Sequence, residues 1–165
     1  MPGPEDIFLG SAFFATIWSL RFGRLADNVI VPSVKNGAFS RWFDNLTPDE
    51  LEELWLNQRV REAIESRLRS PGGMHEWHCV SRTPVFKRWG LKAEQIIEMR
   101  SVISSLQFVN PSGAHTGFGA TKLHKELFGI IDSSLTYDDF VRRLRVWANY
   151  RLVGGAHALP PGLRP

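Results

Sequence analysis

The chain has 165 residues, 43% of them hydrophobic, with 6 Trp and 11 Phe, which suits one globular domain with a real core and excludes a disordered chain. A formal charge of +3 and a pI near 9.4 permit contact with a polyanion such as nucleic acid but do not require it. Cys79 is the only cysteine, so no disulfide can close within the chain, and a small buried apolar role is expected for it.

In chain order, the first feature is the apolar run Ile7 to Leu20. It is shorter than the ~20 residues that a membrane-spanning helix needs. Glu5 and Asp6 stand where a signal peptide would carry basic residues, so a signal peptide is not expected. The run is expected to form a helix packed on the domain; the other reading is a membrane-interacting segment used in delivery. Residues 1–45 are set apart as an N-terminal segment, and residues 46–165 as the main domain. Thr47-Pro48-Asp49-Glu50 predicts a capped helix start, with acids placed favourably for the helix dipole. Leu51, Leu54, Trp55, Val60, Ile64 and Leu68 give the apolar stripe of one helix running to about Arg69, where Ser70-Pro71-Gly72-Gly73 stops it.

A short strand is expected over His75 to Val80, a helix over Lys92 to Arg100, and a second strand over Val102 to Val109. Asn110 to Gly119 reads as a Gly-rich loop. A helix follows from Ala120 to Ile131, with Ala120, Leu123, Leu127 and Ile130 on its core face. Thr136 to Asp139 has the spacing of a second capping box, and the last helix runs on to Gly154-Gly155. The fold class is therefore α+β and mostly helical, about five helices around a small antiparallel hairpin.

Of the 5 histidines, all but His157 lie between His75 and His124. Imidazole is the commonest protein metal ligand, and its near-neutral pKa suits a general base. Glu76, beside His75 and near His78, can ligate a metal or orient an imidazole. The residue types in His75, Glu76, His78, His115 and His124 thus fit metal-assisted hydrolysis. Alternation along a strand would put Glu76 and His78 on one face and His75 on the other, unless a bulge after Gly73 intervenes. His124 sits at the edge of a helix stripe, between Ala120 and Phe128, where a half-buried structural histidine is equally at home. The zincin pattern fails because Cys79 stands where its second His belongs, although His75 and Cys79 would be a helical zinc pair if this segment were helical. Gly113 to Gly119 lacks the Lys-Ser/Thr of a phosphate-binding loop, since Lys122 comes too late.

The run GGMHEWHCVSRTPVFKRWGL, then SGAHTGFGATKLHKELFGIIDSS, then the tail YDDFVRRLRVWANYRLVGGAHALPPGLRP, resembles toxin domains of bacterial polymorphic toxin systems. These belong to the HNH/endonuclease VII superfamily, and the resemblance is to the type with a Glu-His-His-His signature. It covers about Leu46 to Pro165. It implies a ββα-metal core made of the two strands and the helix from Ala120. Glu76, His78, His115 and His124 fall in the order of the signature, with His75 competing with His78. The resemblance implies catalytic roles for His75, Glu76 and His115 and metal ligation by His78 and His124. One divalent ion (Mg, Mn, Zn or Ni) would act with a histidine base in hydrolysing phosphodiester bonds. Arg82, Lys87, Arg88 and Lys92 would hold the nucleic-acid backbone, or else form a solvated basic face. It further implies a DNase that is the C-terminal part of a larger secreted antibacterial protein, acting in the target-cell cytoplasm and neutralised by an immunity protein.

Three competing readings are a ribonuclease on the same fold, a non-enzymatic module with structural histidines around zinc, and a membrane-acting protein using residues 7–20.

Overall fold

The computed structural model describes residues 26–110, 112–114 and 120–165. The apolar run Ile7 to Leu20 and His115 lie outside the described residues. What is described is a mostly helical α+β fold with two short antiparallel strand pairs.

Helix α1 (Ala38–Asn45) places Phe39 and Phe43 one turn apart, both fully buried. Helix α2 (Pro48–Leu56) starts as the sequence predicts. Thr47 Oγ1 accepts from Glu50 N at 3.2 Å, and Thr47 N donates to Glu50 Oε2 at 2.8 Å. The expected single helix from Pro48 to Arg69 is instead two. Asn57 is extended (φ −83°, ψ 113°), and its side chain accepts from Val60 N at 3.2 Å, starting α3 (Gln58–Leu68) afresh. An asparagine that can cap satisfies an orphan N–H at the break, which offsets the lost helical turn. The stripe survives the break: Leu51, Leu54, Val60, Ile64 and Leu68 are all buried.

Strand β1 (Met74–His75) pairs antiparallel with β2 (Ser101–Val102), Met74 opposite Val102 and His75 opposite Ser101. The expected strand over His75 to Val80 thus ends at its first residue. Trp77 (φ 52°) and His78 (φ 60°) both adopt left-handed backbone, and turns carry the chain on to Thr83. Such a conformation costs bulky residues about 1–3 kcal/mol each and persists only where the surroundings fix it. Here the Trp77 side chain is wholly buried, and its indole N–H donates to Ser101 Oγ at 3.0 Å. The second expected strand is divided as well. A 3-10 turn at Ile103–Ser105 separates β2 from β3 (Gln107–Phe108), which pairs with β4 (Gly113–Ala114).

Between the strands lie α4 (Thr83–Arg88), with a proline in its first turn, and α5 (Ala93–Glu98). Helices α6 (Ala120–Ser133) and α7 (Tyr137–Arg151) form the C-terminal pair. Thr136 caps α7 by accepting from Asp139 N at 3.1 Å. Leu123, Leu127 and Ile131 of α6 face Phe140, Leu144 and Ala148 of α7 in one core, which also takes in Ala26, Phe39 and Phe43. Full burial of each aliphatic side chain is worth about 1.5–3 kcal/mol, so this core outweighs the short strands as a source of stability. The tail is ordered, with Leu159 and Leu163 buried and Arg145 Nε donating to the Leu163 carbonyl at 2.9 Å. No helix of the described residues is long and apolar enough to cross a membrane.

Candidate functional site

His75, Glu76, His78 and His124 line one pocket of about 320 Å³ together with Arg69, Met74 and Ile103. On a regular strand His75 would face away from Glu76 and His78. The left-handed pair at Trp77 and His78 removes that separation, because the chain no longer alternates faces beyond His75. The bend thus brings three sequence neighbours to the same opening, and α6 supplies His124 from the other side.

Helix α6 grips the bend through residues spaced four apart. The His78 ring lies 4.7 Å from that of His124, edge to face, and 3.9 Å from that of Phe128. One turn further on, Asp132 accepts two hydrogen bonds from Arg82, at 2.9 and 3.1 Å. The Arg82 guanidinium also lies 4.4 Å from the Phe128 ring centre. His124, Phe128 and Asp132 are therefore one stripe of α6 that docks residues 78–82. The Nε2 atoms of His78 and His124 are both screened from solvent.

His75 is buried, and its ring lies 6.1 Å from that of His124. Its Nδ1 accepts from the Trp77 backbone N–H at 3.3 Å. A neutral imidazole accepting at Nδ1 carries its proton on Nε2, which suits His75 to donating a hydrogen bond rather than to ligating a metal. Behind the bend, Cys79 is fully buried, and burial pushes its thiol well above the ordinary value. That fits the small apolar role and leaves no helical His75–Cys79 zinc pair, since neither residue lies in a helix.

Glu76 is held by a residue the sequence reading passed over. Arg69, capping the end of α3, donates from Nε to Glu76 Oε2 at 2.6 Å and from a terminal nitrogen to Oε1 at 3.0 Å. Its other terminal nitrogen reaches Glu65 at 3.1 Å. The hydrogen bonds with Glu76 raise the Arg69 pKa further above an already high value. The only signal in the sequence is that Arg69 stands just before the Ser70-Pro71-Gly72-Gly73 loop, which folds back towards Glu76. Arg100 closes that loop, donating to the carbonyls of Ser70 and Pro71 at 3.0 and 2.9 Å.

The four basic residues expected to hold a nucleic-acid backbone are placed differently from one another. Lys87 is buried and donates to the carbonyls of Phe43 and Asp44, at 2.9 and 3.2 Å; burial lowers its pKa. It caps the end of α1 and is withdrawn from any phosphate. Arg88 is paired with Glu52 and Asp49, and Arg82 with Asp132. Lys92 is exposed at the start of α5.

Imidazole nitrogens with a carboxylate oxygen are a donor set that suits a divalent cation. Among the described residues, which leave out His115, no three His, Cys, Asp or Glu side chains are gathered closely enough to hold a metal ion. Both Glu76 oxygens are engaged by Arg69 instead. No protein-family model matches the chain, and no curated protein or solved structure matches it either.

Proposed function

We propose that the chain is a metal-dependent nuclease of HNH-like type that hydrolyses phosphodiester bonds, with DNA as substrate. In this reading it is the C-terminal toxin domain of a larger secreted antibacterial protein, acts in the target-cell cytoplasm, and is neutralised by an immunity protein. The observation that supports it most is the convergence of His75, Glu76, His78 and His124 on one pocket from two separate elements. Two of these residues sit at or beside strained backbone, a pattern that clusters at functional sites. The antiparallel pairing of Met74–His75 with Ser101–Val102, followed by α6, has the order of strands and helix that a ββα core requires.

In the proposed chemistry a histidine of the set takes the proton of the attacking water, and His75 donates from Nε2 to a phosphate oxygen. His78 and His124 are the proposed ligands of one divalent ion, with Glu76 as the carboxylate of the set, and His115 is the proposed base. Of the four basic residues expected to do so, Lys92 is the proposed contact to the phosphate backbone. A structural role for the histidines has one observation in its favour, the close packing of His78 against Phe128. The test is incubation of the purified chain with plasmid DNA and with RNA, with EDTA or with added Mg²⁺, Mn²⁺, Zn²⁺ or Ni²⁺. Metal-stimulated cleavage of DNA, stopped by EDTA, supports the proposal. Cleavage of RNA alone moves it to a ribonuclease, and no cleavage of either favours structural histidines.

A further inference from the structure

The histidine pocket is lined by one ion pair as well as by imidazoles, the fork between Arg69 and Glu76. We infer that Arg69 is an internal counter-ion that occupies Glu76, so that a divalent cation enters this pocket only by displacing the guanidinium. The inference rests on the proposed metal site.

Three features carry it. First, the fork takes both Glu76 oxygens, at 2.6 and 3.0 Å, so a cation bound by this carboxylate would have to compete with the guanidinium. Second, an arginine cannot be neutralised by deprotonation at any ordinary pH, so its charge can be moved but not removed. A dication placed beside a fixed guanidinium is repelled at short range in a partly buried pocket. Third, Arg69 has somewhere to go. Glu65 lies one turn earlier on the same helix and already accepts from it at 3.1 Å. The Arg69 side chain is 43% exposed, so it can swing outward without breaking the core. Glu76 then turns from a partner of Arg69 into a ligand, and Glu65 keeps the arginine paired. Arg69 acts here as a positioning residue, since it touches the ligand and not the reacting atoms.

The experiment is calorimetric titration of the intact chain with Zn²⁺ alone and with Mn²⁺ alone, for the wild type, Arg69→Gln, Glu76→Gln and the double variant. Arg69→Gln should bind metal about tenfold more tightly than wild type, within the usual range for coupled sites. The double variant should bind no better than Glu76→Gln, because the gain passes through the Glu76 carboxylate. Arg69→Lys, which keeps the charge but loses the fork, should give a smaller gain and guards against a misfolded glutamine variant. Unchanged or weaker binding by folded Arg69→Gln and Arg69→Lys overturns the inference, as does a gain that persists without Glu76. No metal binding by any variant overturns both this inference and the metal-dependent reading. The predicted gain without cleavage of any nucleic acid sustains the counter-ion role and removes the nuclease.

Discussion

Among the described residues, two arginines each take both oxygens of a glutamate, in different surroundings. Arg151 grips Glu126 at 2.9 and 2.7 Å, joining α7 to α6, and Trp147 adds a third hydrogen bond to the same carboxylate at 2.8 Å. That arginine is only 17% exposed, and its fork closes a packed helix pair. The Arg69–Glu76 fork receives no donor beyond Arg69 among the described residues, its arginine is 43% exposed, and it stands at a pocket lined by histidines. The contrast teaches that the fork itself says little. A carboxylate saturated by three donors between two helices is a brace, whereas one held by a single part-exposed arginine beside a pocket can change partners.

The largest effect expected from breaking the comparison is at the bend that carries the site. Trp77→Ala removes a fully buried ring packed against Trp147 and leaves Ser101 Oγ without its donor. It should cost about 3–5 kcal/mol in urea unfolding. A loss below about 1 kcal/mol would mean that the bend does not depend on this anchor. Next, Lys87→Ala should destabilise by about 1–3 kcal/mol, because the carbonyls of Phe43 and Asp44 lose their donor. Lys92→Ala should leave the melt unchanged and weaken DNA binding instead, measured by its salt dependence. The reverse result would mean that the two lysines have been assigned to each other's places.

The brace should also show in acid. Burial pushes the Glu126 carboxyl up, but hydrogen bonds from Arg151 and Trp147 outweigh it and hold the group below its ordinary value. A depressed folded value means stability that is present above the unfolded pKa of about 4.3 and lost as pH falls through the folded value. Wild type should therefore lose urea resistance more steeply below about pH 4.5 than Glu126→Gln, and parallel curves would deny the brace its electrostatic part. The smallest effect is at the other fork. Arg69→Gln should change stability by less than about 1 kcal/mol, as for partly exposed ion pairs. A large loss would make it a second brace.

Much of the helical frame was legible from local chemistry. Thr47 with Glu50, Thr136 with Asp139, and the stripes of α6 and α7 announce themselves because capping and amphipathic spacing act within a few residues. Helices α1 and α4 were not expected, although Phe39 and Phe43, four apart, and Pro84 at a first turn are equally local signals. The break at Asn57 was hidden because the apolar stripe continues across it. The bend at Trp77 and His78 was illegible for a deeper reason: a bulky aromatic does not choose left-handed backbone, and only its burial against Trp147 and Ser101 holds it there. The set of histidines at the pocket was read from residue type and order, but its convergence depends on that same bend. Arg69 and Arg100 were missed because their partners lie across a loop that composition marks only as a stop.

The central claim is that the histidine pocket performs chemistry and is not only packing. The most direct test is His124→Ala, assayed for DNA and RNA degradation beside its thermal melt. His124 is half-buried between Leu123 and Leu127, which anchor α6 without it. The fold should lose at most about 1–2 kcal/mol, while cleavage should fall at least about a hundredfold. His157→Ala, on the exposed turn after α7, should leave both unchanged. A His124→Ala protein that melts early yet still cleaves as well as wild type would show the histidine to be structural and would contradict the account.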